Sequence, residues 1–261
     1  MDKITDILIP YDFSAPAKRA LEYAIHFVGT RPDKHLIVSF IQKERDQQAM
    51  EKAFEAIRSG LTKAFRAKLS WKAMEEPSVS GLIAETKNQE ADLVIMGTSG
   101  SEDPDGTTKT SQTVLAADCP VLVVPQHIPE DFRLSKIALV LGPREIDDPS
   151  VLGTLLDVAR TFNAKVYVLT IEHKPMTYGY SESEEYNEDL LEYYLEGFYA
   201  QHIFLRSDDV VKAIFDYVAE KEIDMIAILP RNHVRHETGS GGRLTRILTL
   251  QTEIPLLAIE H

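Results

Sequence analysis

This chain of 261 residues has a single cysteine, Cys119. One thiol cannot close an internal disulfide, which fits a reducing compartment, and Cys119 reads as a small residue packed at the entrance to a strand. No apolar run approaches the roughly 20 residues that a membrane-spanning helix needs. The opening Met1-Asp-Lys-Ile-Thr-Asp lacks the basic and apolar segments of a secretory signal, so a cytoplasmic location of the bacterial type, without membrane contact, is expected. Basic residues are short as well: 28 Lys and Arg stand against 41 Asp and Glu, a formal charge of −13. Nucleic-acid phosphates require clustered cations, so no nucleic-acid partner is expected. Local catalytic signatures are missing: there is no Walker loop, no G-x-G-x-x-G after a strand, no G-x-S-x-G and no H-x-G-H. His233 and His236 have no third ligand of matching spacing, so no metal is expected. The expectation is a protein that is not an enzyme.

What is present is a regular alternation of short apolar runs and helical periodicity. With 44% hydrophobic and 26% charged residues the chain has the balance of a soluble globular protein. Residues 7–10 form an apolar run, and 14–28 carry Ala17, Ala20, Leu21, Ala24, Ile25 and Val28 at helical spacing before Gly29. A strand at 36–41, a helix at 47–65 and a strand at 69–74 follow, then a helix at 79–88. Helix-length connections imply parallel strands.

The second half repeats the first. Ile7 answers to Ile137, Val38 to Val168, Asp92 to Asp224 and Pro120 to Pro255, so the offset grows slowly from 130 to 135 residues. The later strands are read at 137–141, 166–171, 202–205, 225–229 and 255–259. An acidic segment, 181–189, opens a helix that turns Leu190, Tyr194 and Phe198 inward. Two α/β units result, 1–126 and 133–261, divided in the polar segment Gln126-His-Ile-Pro-Glu-Asp131.

Within the first unit, residues 91–125 read as strand, glycine- and threonine-rich loop, helix and strand. In an open parallel sheet, ligands collect outside the carboxyl ends of strands, where loop N–H groups and a helix N-terminus face an anion. Gly97-x2-Gly100 and Pro120-Val-Leu-Val-Val124 resemble the universal stress protein family, whose nucleotide-binding members carry G-x2-G-x9-G-[S/T] after the fourth strand. Gly106-Thr107 follows Gly100 after five residues instead of nine, and Thr107-Thr108 fall where the family's Gly-Ser would sit.

The resemblance covers nearly the whole chain twice. It implies two tandem five-stranded parallel-sheet domains, doubly wound, docked as an intramolecular pseudo-dimer, with further homodimerisation open. It also implies an adenine-nucleotide site, for ATP or AMP, in the first domain: Pro10, Tyr11 and Asp12 after the first strand, Phe40 after the second, Met96, Gly97 and Gly100 after the fourth, then Gly106, Thr107 and Thr108. Read from the residues alone, Asp12 or Ser14 caps the following helix, Ser14 being the better candidate, Phe40 is a core residue and the glycines form a turn.

In the second half Gly142 stands where Asp12 would be, and the loop Pro230-Arg-Asn-His-Val-Arg-His-Glu-Thr-Gly-Ser-Gly-Gly-Arg243 places Pro230, which donates no N–H, near the first glycine. That site is expected to be degenerate. The function implied is binding in the stress response; the alternative is a structural or partner-docking protein without nucleotide.

Overall fold

The computed structural model describes residues 3–41, 47–74, 76–101, 103, 106–141, 151–172, 182–230 and 242–259. The first half runs β1 (Asp6–Tyr11), α1 (Ala15–Val28), β2 (His35–Phe40), α2 (Gln47–Gly60), β3 (Lys68–Ala73), α3 (Val79–Asn88), β4 (Leu93–Thr98), α4 (Lys109–Ala116) and β5 (Val121–Pro125). The second runs β6 (Lys136–Leu141), α5 (Leu152–Phe162), β7 (Lys165–Glu172), α6 (Glu182–Leu195), β8 (Tyr199–Arg206), α7 (Val210–Lys221), β9 (Met225–Ile228), α8 (Arg243–Gln251) and β10 (Leu256–Ala258). Two expected boundaries move: β8 begins at Tyr199, three residues before the expected start at 202, and α2 stops at Gly60, not at Phe65. Ser59-Gly60 has poor helix propensity, and Leu61 N–H turns back to the Arg58 carbonyl at 3.3 Å, although Phe65 still packs on the core. No helix among the described residues is long and apolar enough to cross a membrane.

The ten strands form one sheet in the order β3-β2-β1-β4-β5-β10-β9-β6-β7-β8. Within each half the pairing is parallel, but β5 and β10 meet antiparallel, with Val123 opposite Leu256 and Val121 opposite Ala258. The order therefore reads the same from either end, and an approximate twofold axis passes between the fifth strands. Alternation along the strands sorts the core into two layers. Ile7, Ile9, Leu36, Val38 and Ile95 face α1 and α2, and this layer continues without a break under α5 and α6. Leu8, Ile37, Val94 and Val123 face α3 and α4, continuing under α7 and α8.

The segment joining the halves is packed: Ile128 is buried, and Phe132 stacks on Tyr23 at 4.1 Å between ring centroids and 12° between planes. Burial raises the Tyr23 phenol well above its ordinary pKa, with the Asp224 carboxylate adding to the effect, so the ring stays neutral in the seam. Arg31 donates to Thr161 O at 2.9 Å and lies 5.8 Å over Phe162, while buried Lys34 reaches Asp157 at 3.4 Å.

The repeat has a physical cause at the amino ends of the strands. Asp92 Oδ2 accepts from Thr5 N–H, the Thr5 hydroxyl and Asp6 N–H at 2.7, 2.6 and 2.9 Å. Asp224 Oδ2 does the same for Ser135 N–H, the Ser135 hydroxyl and Lys136 N–H at 2.8, 2.7 and 2.8 Å. Each carboxylate ties its fourth strand to the start of its first. Removing one leaves three donors short of a charged acceptor, so Asp92→Ala and Asp224→Ala should each cost about 2 kcal/mol or more by urea unfolding. The two sites lie in different halves and share no partner, so the double variant should show near-additive loss. A cost below about 0.5 kcal/mol for either, the level of an ordinary surface change, would contradict this role.

Candidate functional site

The carboxyl edge of the first half opens between β1 and β4. Odd-numbered residues of β1 turn their backbone groups to β2, as Ile41 N–H on Tyr11 O at 2.9 Å shows, and even-numbered ones turn to β4, as Asp92 N–H on Asp6 O at 2.8 Å shows. Pro10 is the even residue at the end and has no N–H to give. Pairing with β4 accordingly runs through Ile7–Leu93 and Leu8–Val94, and the strands part beyond. This is the point where the sheet order reverses, the place a ligand is expected in such folds.

Most of the sequence-nominated residues gather at this edge, and several of their polar groups have protein partners. Asp12 is exposed, and its Oδ1 accepts from Ser14 N–H at 3.1 Å; Ser14 Oγ in turn caps α1 by accepting from Ala17 N–H at 3.3 Å. Tyr11 is buried beside it. Burial first, then the Glu22 and Asp12 carboxylates, hold its phenol above the ordinary tyrosine range. Phe40 is buried under Phe13, whose ring stacks on it at 5.6 Å and 14°, and Trp71 meets its edge at 5.7 Å. Phe13 adopts a left-handed φ of 65°, rare for an aromatic residue, which turns its ring back over the end of β2. Met96 is buried in the opposite layer.

The glycines are placed by packing. A Cβ at residue 97 would stand 2.0 Å from the Pro16 carbonyl oxygen, so the first turn of α1 lies directly on β4, and Thr110 Oγ1 donates to Gly97 O at 3.0 Å. Gly100 has φ +73°, and its N–H is taken by Thr98 Oγ1 at 3.0 Å. The next N–H, that of Ser101, donates to Leu250 O at the end of α8 at 2.9 Å. Gly106 N–H donates to Asp103 O at 3.0 Å. Thr107 is exposed, and Thr108 caps α4, its Oγ1 accepting from Ser111 N–H at 3.1 Å while Ser111 Oγ accepts from Thr108 N–H at 3.0 Å. Lys109 and Thr110 N–H belong to the first turn of α4, whose donors have no carbonyl partner within the helix.

Around Gly100 the two halves enclose a crevice of about 880 Å³, lined by Thr98, Ser101, Gln126, His127, Leu250 and Glu253 among others. Its second wall, the α8–β10 turn, carries no motif and lies 150 residues away, so nothing in the sequence nominates it. Phe13 and Pro16 lie within four residues of Asp12 in sequence, yet their roles depend on what faces them. In the second half, Gly142, the arginines 231 and 235, His233, His236 and glycines 239 and 241 lie outside the described residues. Gly242 has φ +71° and begins α8, its Cα facing Leu115 of α4 so closely that a Cβ would sit 2.5 Å from a methyl. Exposed Arg243 follows it.

Two doubly wound units in tandem, each with strand order 3-2-1-4-5 and fused through their fifth strands, define the class of protein. Residues 3–125 match the model of the universal stress protein family, and this half of the chain belongs to that family. Among solved structures, a universal stress protein from Archaeoglobus fulgidus DSM 4304 superposes with a TM-score of 0.68 at 14% identity, over 99% of this chain and 97% of its own. The cytoplasmic domain of a prokaryotic cation chloride cotransporter gives 0.59 at 11% identity over 99% and 96%. A candidate universal stress protein from Pseudomonas aeruginosa UCBPP-PA14 gives 0.58 at 17% over 98% and 93%. These likenesses extend the tandem fold to the whole chain. No curated protein matches by sequence.

The glycine assignments can be separated by stability. Gly97→Ala should destabilise the protein by about 3 kcal/mol, because the new methyl meets the Pro16 main-chain carbonyl, which cannot move aside without shifting α1. Gly100→Ala should cost about 1 to 2 kcal/mol for the left-handed φ. A Gly97→Ala variant with an unchanged denaturation midpoint would show that α1 does not press on β4.

Proposed function

We propose that the chain is a universal stress protein-type binding protein of the stress response, whose first half holds an adenine nucleotide weakly and gains little from its phosphates. The observation that carries this reading is the bond from Ser101 N–H to the Leu250 carbonyl, together with the Thr98 hydroxyl on Gly100 N–H: two donors of the phosphate-facing loop are spent inside the protein. Two lost bonds to a charged acceptor, at about 1.5 kcal/mol each, amount to about 3 kcal/mol. That is roughly a hundredfold in affinity, enough to take a micromolar site towards about 0.1 mM.

A second reading, docking of a protein partner without nucleotide, is favoured by the polar crevice between the halves and by the likeness in fold to a cotransporter's cytoplasmic domain. Calorimetry with ATP, AMP and adenosine separates them. The nucleotide reading expects one weak site per chain, ATP within about tenfold of adenosine, and loss of binding in Asp12→Ala, whose carboxylate would accept from the base or ribose. Absence of heat with all three ligands supports the docking reading. Submicromolar ATP with far weaker adenosine would overturn the weak-phosphate argument.

A further inference from the structure

The opposite, amino edge of the first half holds a constellation that the nucleotide reading does not use. Asp6 at the start of β1, His35 at the start of β2 and Ser70 in β3 stand side by side on three neighbouring strands. His35 Nδ1 lies 2.8 Å from Asp6 Oδ1, and His35 Nε2 lies 2.7 Å from Ser70 Oγ. A carboxylate only accepts, so the Nδ1 proton points to Asp6, and in the neutral ring Nε2 is left as the acceptor for the Ser70 hydroxyl proton. A nucleophile, a base within hydrogen-bond reach of it and a third group orienting the base are the defining relations of a Ser-His-Asp triad, which is recognised by geometry and not by chain order.

The edge position supplies what a triad needs beyond itself. Among the described residues β3 ends the sheet and pairs only with β2. Lys68 N–H and Met74 N–H donate to the Lys34 and Phe40 carbonyls at 2.9 and 3.0 Å, so even-numbered residues of this stretch turn inward. Leu69, Trp71 and Ala73 therefore turn their N–H groups to the open edge. Trp71 follows Ser70 directly, and the N–H of the residue after a nucleophile is a standard donor to an oxyanion. Ser70 is partly exposed and His35 keeps 18% of its side-chain surface, so a small reagent reaches both.

We propose that Asp6, His35 and Ser70 form an acyl-transfer site for small, unhindered esters. Ser70 Oγ attacks the ester carbonyl as its proton passes to His35 Nε2, and the carbonyl oxygen takes negative charge facing Trp71 N–H. The C–O bond to the alcohol then breaks, the alcohol leaves with the proton from His35, and an acyl-Ser70 ester remains. Water, deprotonated by His35, attacks that ester, releases the acid and restores the hydroxyl. Asp6 is a positioning residue that holds the ring in the productive tautomer. Ser70 lies on the sheet's open edge strand, so turnover is slow and discriminates little between acyl groups.

The test uses the full chain with two probes, a fluorophosphonate and p-nitrophenyl acetate. The fluorophosphonate should form one adduct on Ser70, a P–O bond replacing P–F with loss of fluoride, located by peptide mass spectrometry. Ser70→Ala, which removes one hydroxyl, should abolish it, and His35→Ala should slow both labelling and ester hydrolysis by about a hundredfold, the scale of general-base catalysis. Asp6→Asn should lower kcat at unchanged KM, which a purely structural role would not do. Unaltered thermal unfolding of Ser70→Ala shows that the loss is chemical; if that variant unfolds, the adduct site in the native protein still decides. No adduct, an adduct elsewhere, or Ser70 labelling that survives His35→Ala at the native rate overturns the proposal.

Discussion

Antiparallel pairing of β5 with β10 is the contact through which the two halves become one body. An open parallel sheet ends on strands with unpaired backbone groups, and here the fifth strand of each half is wholly apolar, as Val121 to Val124 and Leu256 to Ala258 show. Exposed, either would be an invitation to uncontrolled pairing. Joined to each other, they satisfy their backbones and place two units around a common axis, so that each core layer runs on beneath the helices of the next half. The edges that remain are β3 and β8, and both carry exposed polar or charged residues.

The junction also determines what becomes of the glycine loop. Because β10 runs against β5, the end of α8 is carried to the carboxyl edge of the first half, where Leu250 O meets Ser101 N–H. A loop whose donors would otherwise face outward is thus anchored to the other half. Gly100 adopts its left-handed turn against the same carbonyl, with a would-be Cβ 3.0 Å away. Any ligand in the neighbouring crevice therefore touches both halves, and its binding is coupled to how they sit together.

The two edges of the first half differ in character. At the carboxyl edge the strands part at Pro10 and the space between them is taken by Phe13, Pro16 and the cap of α1. At the amino edge, carboxylates draw the strands together: Asp92 holds Thr5 and Asp6, and Asp6 holds His35. A tightly tied edge keeps side chains on adjacent strands in fixed relation, which is the condition for three of them to act as a unit.

The sequence alone determined the strand and helix alternation, the repeat and the class of fold, because burial on a pleated or helical surface leaves a period in the residues themselves. It set the Val79–Asn88 helix at its observed bounds and paired Asp92 with Asp224, although the reason for that pair, a threefold hydrogen bond to the start of another strand, is visible only in three dimensions. The candidate site was legible as a set of positions and not as a set of available groups. Gly97, Gly100 and Thr108 read as phosphate contacts by spacing, but whether an N–H or hydroxyl is free depends on Pro16, Leu250 and Ser111 opposite it. Asp6, His35 and Ser70 left no motif at all, since register between strands brings together residues 29 and 35 apart, and that register is decided by packing of the whole sheet.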